Sequence, residues 1–378
     1  MSDSLGLDLF FHNILINHYI LMNKYSLNST TLKRRIFLVA AVPLFFLCYS
    51  CQDYSDTDQF MSVNGLTDAD SMGVTLSHEH VLVDWIGADS TGYHRWNREN
   101  VVDKVLPYFL EAKEQGVQTI IEFTPAYLGR DPHILLELSK RSGIQVLTNT
   151  GYYGAVDNRF MPGSAYDQSA DDIARLWVGE FNSGIDGSEV RPGFIKTSVG
   201  EQVSLSNLHQ KILSAAIKTH LETGMVIASH TIGDIPAFEQ IEMLEAGGVS
   251  PEAWIWTHAQ SGSPEANIEA AKKGAWIALD NVRYRPEAED GESGTISWYV
   301  DRISQLKNEG LLNRVLISHD AGWYDPDREN GGEFRGYTDI FHHLIPGLKD
   351  AGFSDSEINQ LLVTNPASAF RIDVRKTE

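Results

Sequence analysis

A chain of 378 residues with 42% hydrophobic and 21% charged side chains has the composition of a soluble globular protein and ample length for one large core. Its 30 basic and 51 acidic residues leave a formal charge of −21, which argues against nucleic acid as a partner and admits a small neutral or cationic substrate. The two cysteines, Cys48 and Cys51, both lie near the N-terminus, so the remaining chain offers no internal disulfide, thiolate ligand or thiol nucleophile, and any metal must be held by His, carboxylate or a modified Lys.

The first 51 residues read as an export segment. Lys33-Arg34-Arg35 precedes an apolar run of 12 residues, Ile36 to Leu47, shorter than the roughly 20 that a spanning helix needs. A basic start, a short apolar core and a small residue, Ser50, before Cys51 match a secretory signal. Ser50-Cys51 resembles a bacterial lipoprotein cleavage site that leaves Cys51 as the lipidated first residue, although Cys48 stands where such sites usually carry Leu. Residues 1–21 read as an extension ahead of Met22. The expectation is an exported lipoprotein, anchored to the membrane through Cys51 in the periplasm or at the cell surface; an uncleaved anchor is the alternative. Gln52 to Asp58 is polar and acidic, which predicts a flexible tether, with a lead-in to residue 72 and the main domain over 73–378.

From Val74 onward short β-rich runs alternate with amphipathic stretches. The predicted strands are Val74–Ser77, Thr119–Phe123, Gln145–Thr150, Phe194–Ser198, Met225–Ser229, Trp254–Thr257, Trp276–Asp280 and Val315–Ser318. Most are continuous apolar runs, as expected of a parallel sheet covered on both faces. Between them, helical spacing or capping signals predict helices over Val101–Gln115, Pro132–Ser142, Asn207–Thr223, Ile235–Ala246, Pro264–Lys273, Ser297–Asn308 and Phe334–Lys349. This alternation in one undivided domain predicts an α/β fold of the (β/α)₈ TIM-barrel type. No Gly-x-Gly-x-x-Gly follows the first strand to favour an open doubly wound sheet.

Active sites on such a barrel lie at the C-terminal strand ends. His78 and His80 follow the first predicted strand, Lys196 lies in the fourth, His230 and His258 follow the fifth and sixth, and Asp320 follows the eighth. In an extended His78-Glu79-His80 segment both imidazoles share one face and Glu79 takes the other, so the pair can grip one divalent ion. Each residue also has a structural reading: a chance His-x-His, a Lys paired with a barrel carboxylate, satisfied core histidines, an Asp capping a loop. An ammonium cannot ligate a metal, and chemistry alone favours the paired Lys. His319 falls on the opposite strand face and reads as structural. His94, His133, His209, His220, His342 and His343 read as surface or helix residues.

These residues, with Gly193-Phe194-Ile195-Lys196, Ala228-Ser229-His230, Trp256-Thr257-His258, Ile317-Ser318-His319-Asp320 and Thr364-Asn365-Pro366-Ala367, make the chain resemble the phosphotriesterase family of the amidohydrolase superfamily from about Val74 to Phe370. The resemblance implies a binuclear metal-dependent hydrolase. His78, His80 and Asp320 would hold one ion and His230 and His258 the other, with N6-carboxylated Lys196 and a hydroxide bridging them. It reverses the chemical expectation for Lys196. Asp320 and Lys196 would be catalytic: the hydroxide attacks carbon or phosphorus and Asp320 takes the proton. His and carboxylate donors suit two zinc ions, with Mn, Co or Fe compatible. Tyr153, in Gly151-Tyr152-Tyr153, matches a residue bordering the substrate pocket and is a Tyr in the family's lactonases. Asn281 stands where such members usually carry Arg, and the loop continues through Arg283; Tyr153, Asn281 and Arg283 are therefore the expected pocket residues. The long stretch Asn281 to Gly294 is expected to shape a lid. The implied substrate is a small ester, lactone or phosphoester, and a homodimer is compatible. The competing readings are a lactonase or carboxylesterase without useful phosphotriesterase activity, a mononuclear amidohydrolase or deaminase, which would not use a strand-four Lys, and a surface lipoprotein that binds a ligand without catalysis.

Overall fold

The structure, a computed structural model, describes residues 58–200 and 204–378. The expected export segment and lipidation site at Cys51 lie outside the described residues. The lead-in carries an element that its polar composition hides. β1 (Gln59–Ser62) and β2 (Gly65–Asp68) form an antiparallel hairpin. Phe60 and Met61 are fully buried, so the hairpin is part of the folded domain from its first strand onward.

The parallel strands follow in ring order. β3 (Thr75–Glu79), β4 (Thr119–Glu122) and β5 (Gln145–Leu147) pair in one sheet. β6 (Asn149–Thr150), β7 (Phe194–Ser198), β8 (Ile227–His230), β9 (Trp254–Thr257), β10 (Trp276–Leu279) and β11 (Val315–Ile317) pair in the second. β5 and β6 are two pieces of one predicted strand parted at Thr148, so the sheets adjoin there. At the other seam, between β11 and β3, the Ser77 hydroxyl donates to Ile317 O at 3.0 Å and the His78 amide donates to the Ser318 hydroxyl at 2.9 Å. The Asp320 amide reaches His78 O at 3.0 Å and the His80 amide reaches Ala321 O at 2.8 Å. This is an α/β fold with parallel sheets, consistent with the expected TIM barrel.

The helices begin and end where side chains satisfy the free backbone groups. α1 (Arg98–Glu114) starts at Asn97, whose side chain accepts from the Asn100 amide. α2 (Pro132–Ser142) starts at Asp131 with Pro in its first turn and stops at left-handed Gly143. α3 (Ser164–Asp167) and α4 (Ala170–Ser183) lie between β6 and β7, where no helix is predicted; α4 opens with a capping box of Ser169 and Asp172 and buries Ile173, Trp177 and Phe181. α5 (Asn207–Thr223), α6 (Asp234–Ala246), α7 (Pro264–Lys272) and α8 (Ile296–Asn308) lie within a residue of their predicted bounds. The predicted helix Phe334–Lys349 is corrected. Phe334 and Tyr337 lie in irregular chain and pack on Tyr108 and Phe109 of α1, and helical turns begin only near Ile340, leading into α9 (Ile345–Asp350). α10 (Asp355–Asn359) and α11 (Asn365–Phe370) follow.

Two packed layers hold the ring. Outward-facing strand residues such as Ile195, Ile227 and Ile277 meet the helices in the main core. Phe123, Leu147, Phe194, Val226 and Leu316 join Phe60, Met72 and Phe370 in a second cluster. Full burial of each such side chain contributes roughly 1.5–3 kcal/mol. That filling gives the strand ends a firm base.

Candidate metal centre

The strand ends bring the predicted residues together. Against β4, β3 shifts register between Leu76 and Glu79. His78 Nε2 then lies 3.2 Å from His80 Nε2, and Asp320 Oδ1 lies 3.5 Å and 3.1 Å from those two nitrogens. These three donors could hold one cation. Asp320 adopts a positive φ of 50°, which Asp tolerates better than most residues, and its amide is tied by the seam hydrogen bond. Its carboxyl is pushed up by burial, but the surrounding imidazoles, His78 foremost, outweigh that and hold it well below the usual range. Burial pushes His78 down, and His230 further down, so both offer neutral nitrogen lone pairs.

The second imidazole pair is equally close. The His230 and His258 rings are 4.5 Å apart and nearly perpendicular, and His258 is 5.2 Å from the His78 ring. Lys196 sits between the pairs. Its Nζ is 5.1 Å from the centre of Phe123, which stacks on His78 at 4.0 Å. On the other side it is 6.0 Å from Tyr153, whose ring lies 5.3 Å from His230. Lys196 is buried, and no described residue forms an ion pair or hydrogen bond with its amine. Among the described residues no carboxylate lies at ion-pair distance from the amine, and Asp280 and Asp320 act on it only through their charge. Burial pushes the ammonium down to about 8.

A carboxylate unassigned by the sequence reading organises both pairs. Asp280, directly after β10 and fully buried, presents Oδ2 to His78 Nδ1 at 2.7 Å and Oδ1 to His258 Nδ1 at 2.9 Å. Gln260 donates to Oδ1 at 3.0 Å. Asp280 and these imidazoles could be taken as another metal-holding trio. The hydrogen-bond geometry favours an orienting role, because a carboxylate holding each Nδ1–H leaves both Nε2 atoms free for a cation. Replacing Asp280 by Asn leaves one imidazole without an acceptor. Asp280→Asn is expected to weaken divalent-cation affinity by about 10–100-fold in competition with a chromogenic chelator; affinity within twofold of the parent would remove Asp280 from this role.

Glu79 turns away from this cluster. Its Oε1 accepts from the Ser318 hydroxyl at 2.8 Å and from His319 Nδ1 at 2.6 Å, and its Oε2 accepts from the Ala321 amide at 3.0 Å. His319 Nε2 accepts from the Ile340 amide at 3.1 Å, so His319 is structural and Nδ1 carries its proton. The histidines read as surface or helix residues stay outside the cluster. His209 and His220 are buried in α5, and His220 donates Nδ1–H to Met225 O and accepts at Nε2 from the Arg375 amide.

The pocket residues divide. The Tyr153 hydroxyl is 3.2 Å from His230 Nδ1, at the cluster. Asn281 and Arg283 line an adjoining cavity of about 540 Å³ with Gln260, Arg285 and Tyr299. The loop that carries them is tied down outside the cavity, where Tyr284 stacks on His343 at 3.8 Å. Two half-exposed indoles flank the mouth. Trp323 stands edge-on to His80 at 6.2 Å and to Trp85 at 5.9 Å, and Trp85 meets Phe160, which meets Tyr153. The result is an apolar arc from His80 to His230.

Comparison with known proteins gives the family. The protein-family model described as the phosphotriesterase family matches residues 58–370. The chain is 29% identical over 314 residues to the phosphotriesterase homology protein of Escherichia coli K12, covering 80% of this chain and 99% of that protein. It is 27% identical to the aryldialkylphosphatase of Saccharolobus solfataricus, covering 79% and 95%. It is 25% identical to the phospho-furanose lactonase of Mycoplasmopsis synoviae, covering 83% and 92%. The crystal structure of the E. coli phosphotriesterase homology protein, complexed with phosphate in its active site, superposes with a TM-score of 0.66 at 26% identity, covering 80% of this chain and 99% of that one.

Proposed function

The chain belongs to the phosphotriesterase family, and from that premise we propose that it is a metal-dependent hydrolase of ester bonds, acting on a carboxylic ester, lactone or phosphoester of a small molecule. The observation that carries this reading is the meeting of His78, His80 and Asp320 donors within 3.5 Å of one another, beside the His230–His258 pair and an amine without an ion partner among the described residues. Relatives named for lactone and dialkyl-phosphate hydrolysis support the ester-bond class. Hydrolase relatives weigh against a non-catalytic binding lipoprotein. The export segment ending at Cys51 belongs to the proposal and rests on sequence alone.

The donor set fits two divalent cations. His78, His80 and Asp320 would hold one, and His230 and His258 the other. Lys196 would bridge them once its neutral amine has added CO₂ and lost a proton, turning a cation into an anion. Its depressed pKa favours that step, because only the free amine attacks CO₂. When bound, such cations supply Lewis acidity and acidify a coordinated water. Asp320 Oδ1, anionic and aimed at the imidazole nitrogens, accepts the proton from the attacking water. Asp280 keeps His78 and His258 in the tautomer that leaves Nε2 free to hold a cation. The Tyr153 hydroxyl sits at the same edge, where it can orient a substrate oxygen. The apolar arc of Trp323, Trp85 and Phe160 excludes water and faces the acyl or alkoxy group.

The experiment is a metal count on the purified domain, followed by turnover of lactones, aryl esters and phosphotriesters before and after chelation. The expected result is two ions per chain, with activity lost on chelation and restored by a divalent ion. Turnover that survives complete removal of metal would overturn the proposal, as would none on any of the three classes with both sites filled.

A further inference from the structure

We propose that the chain carries a second small-molecule site, apart from the metal centre, that binds a small organic cation such as a quaternary ammonium. The site is a cavity of about 510 Å³ among the segments that follow β3, β4 and β6, backed by α4. That volume suits a metabolite-sized ligand. None of the proposed metal-holding residues lines it.

Aromatic rings form its walls. On one side Trp177 of α4 stands edge-on to Tyr152 at 5.3 Å, and Tyr152 stands edge-on to Tyr127 at 5.8 Å. On the other, Tyr93 and Trp96 are perpendicular at 6.0 Å. Ring faces carry negative charge density and attract cations. One such contact is already made, with the Arg98 guanidinium 4.8 Å over Tyr93.

The charges around the cavity leave an excess of one carboxylate. Arg98 pairs with Asp131 at 2.7 Å. Buried Arg130 pairs with Glu180 through both terminal nitrogens at 3.0 and 2.8 Å. Asp186 shares the same guanidinium, so two carboxylates face one cation. It accepts from the Tyr93 hydroxyl at 2.6 Å, lies 3.9 Å from Arg130, and its side chain is 51% exposed. The negative field is felt by the phenols: burial first, then Asp186, pushes Tyr93 and Tyr127 up, and Tyr152 is pushed up by burial, Tyr127 and Glu180. They stay neutral and add no charge of their own to the cavity.

Backbone strain falls in the same cavity. Tyr127 adopts φ 66° and Asp186 φ 51°. A bulky aromatic residue in the left-handed region is uncommon, and such strain gathers at ligand clamps. Here it holds the Tyr127 ring in the wall and the Asp186 carboxylate at the rim. The metal centre is one residue away along the chain, since Tyr152 lines this cavity and Tyr153 reaches His230.

The test uses the full folded domain with its metals. Choline and its uncharged isostere 3,3-dimethylbutan-1-ol are titrated by calorimetry and by tryptophan fluorescence. Choline is expected to bind saturably and about tenfold more tightly than the isostere. Asp186→Asn should weaken choline binding about fivefold or more with the fold unchanged, because Asn accepts the left-handed conformation well. Tyr93→Leu should weaken it comparably, and Lys196→Ala should leave it unaltered. Equal binding of the two probes, or no saturation with choline, would overturn the proposal. So would choline binding that is lost in Lys196→Ala but kept in Asp186→Asn, which would place the ligand at the metal centre.

Discussion

Lys196→Ala is expected to lower turnover by about a thousandfold and to reduce bound metal from two ions per chain to one or fewer. The reasoning starts from burial. An amine enclosed by Phe123 and Tyr153, with no ion partner among the described residues, is poorly placed as an ammonium, and burial has already pushed it down to about 8. A structural lysine at such a site would be expected to hold a carboxylate. As a carbamate the same side chain supplies the negative charge that two adjacent cations need. Loss of that bridge is equivalent to about 4 kcal/mol of transition-state stabilisation, at 1.36 kcal/mol per factor of ten. The Ala variant leaves room for a small anion, so millimolar formate, acetate or propionate should restore both metal and activity in part. Lys196→Met fills that space and should not be rescued. Parent-like turnover with two bound ions in Lys196→Ala would remove Lys196 from the centre altogether.

Asp320→Asn is expected to lower kcat by about 10³–10⁴-fold while costing less in bound metal. Asn keeps the shape of the side chain and one oxygen beside His78 and His80. It loses the negative charge that the neighbouring imidazoles favour, and with it the carboxylate that could take a proton. Turnover should therefore fall further than metal occupancy, with KM little changed. Single-turnover kinetics on metal-matched samples separates the two. A kcat within threefold of the parent at equal occupancy would show that the proton goes elsewhere.

The imidazoles and Asp320 were legible because each follows an apolar strand, and strand ends are where this class of fold gathers chemistry. Lys196 was legible only through family resemblance, since nothing in Phe194-Ile195-Lys196 shows that the amine lacks a partner. Asp280 went unassigned for a related reason. A lone Asp after a strand is commonplace, and its role comes from accepting bonds from residues 202 and 22 positions away. Helix α4 is signalled in the sequence by the capping box of Ser169 and Asp172 ahead of Ile173, Trp177 and Phe181. The hairpin of β1 and β2 is of another kind. Two apolar residues in a polar stretch carry no period, and only the surrounding cluster reveals that Phe60 and Met61 have a place to go. The error at Phe334–Lys349 reflects aromatic residues whose helix-like spacing serves packing on α1. Net charge, read as favouring a neutral or cationic substrate, describes the surface and says little about a cleft flanked by Arg283 and Arg285.

The seam between β3 and β11 carries a consequence for the life of the chain. His78 takes its place only when Ser318 receives its amide, and Asp320 only when its own amide meets His78, yet these partners are separated by about 240 residues. The coordination sphere cannot assemble on a ribosome that has not yet released the last quarter of the protein, nor in a fragment lacking it. Any cation taken up by these donors would therefore bind late, once the two distant ends of the domain have met.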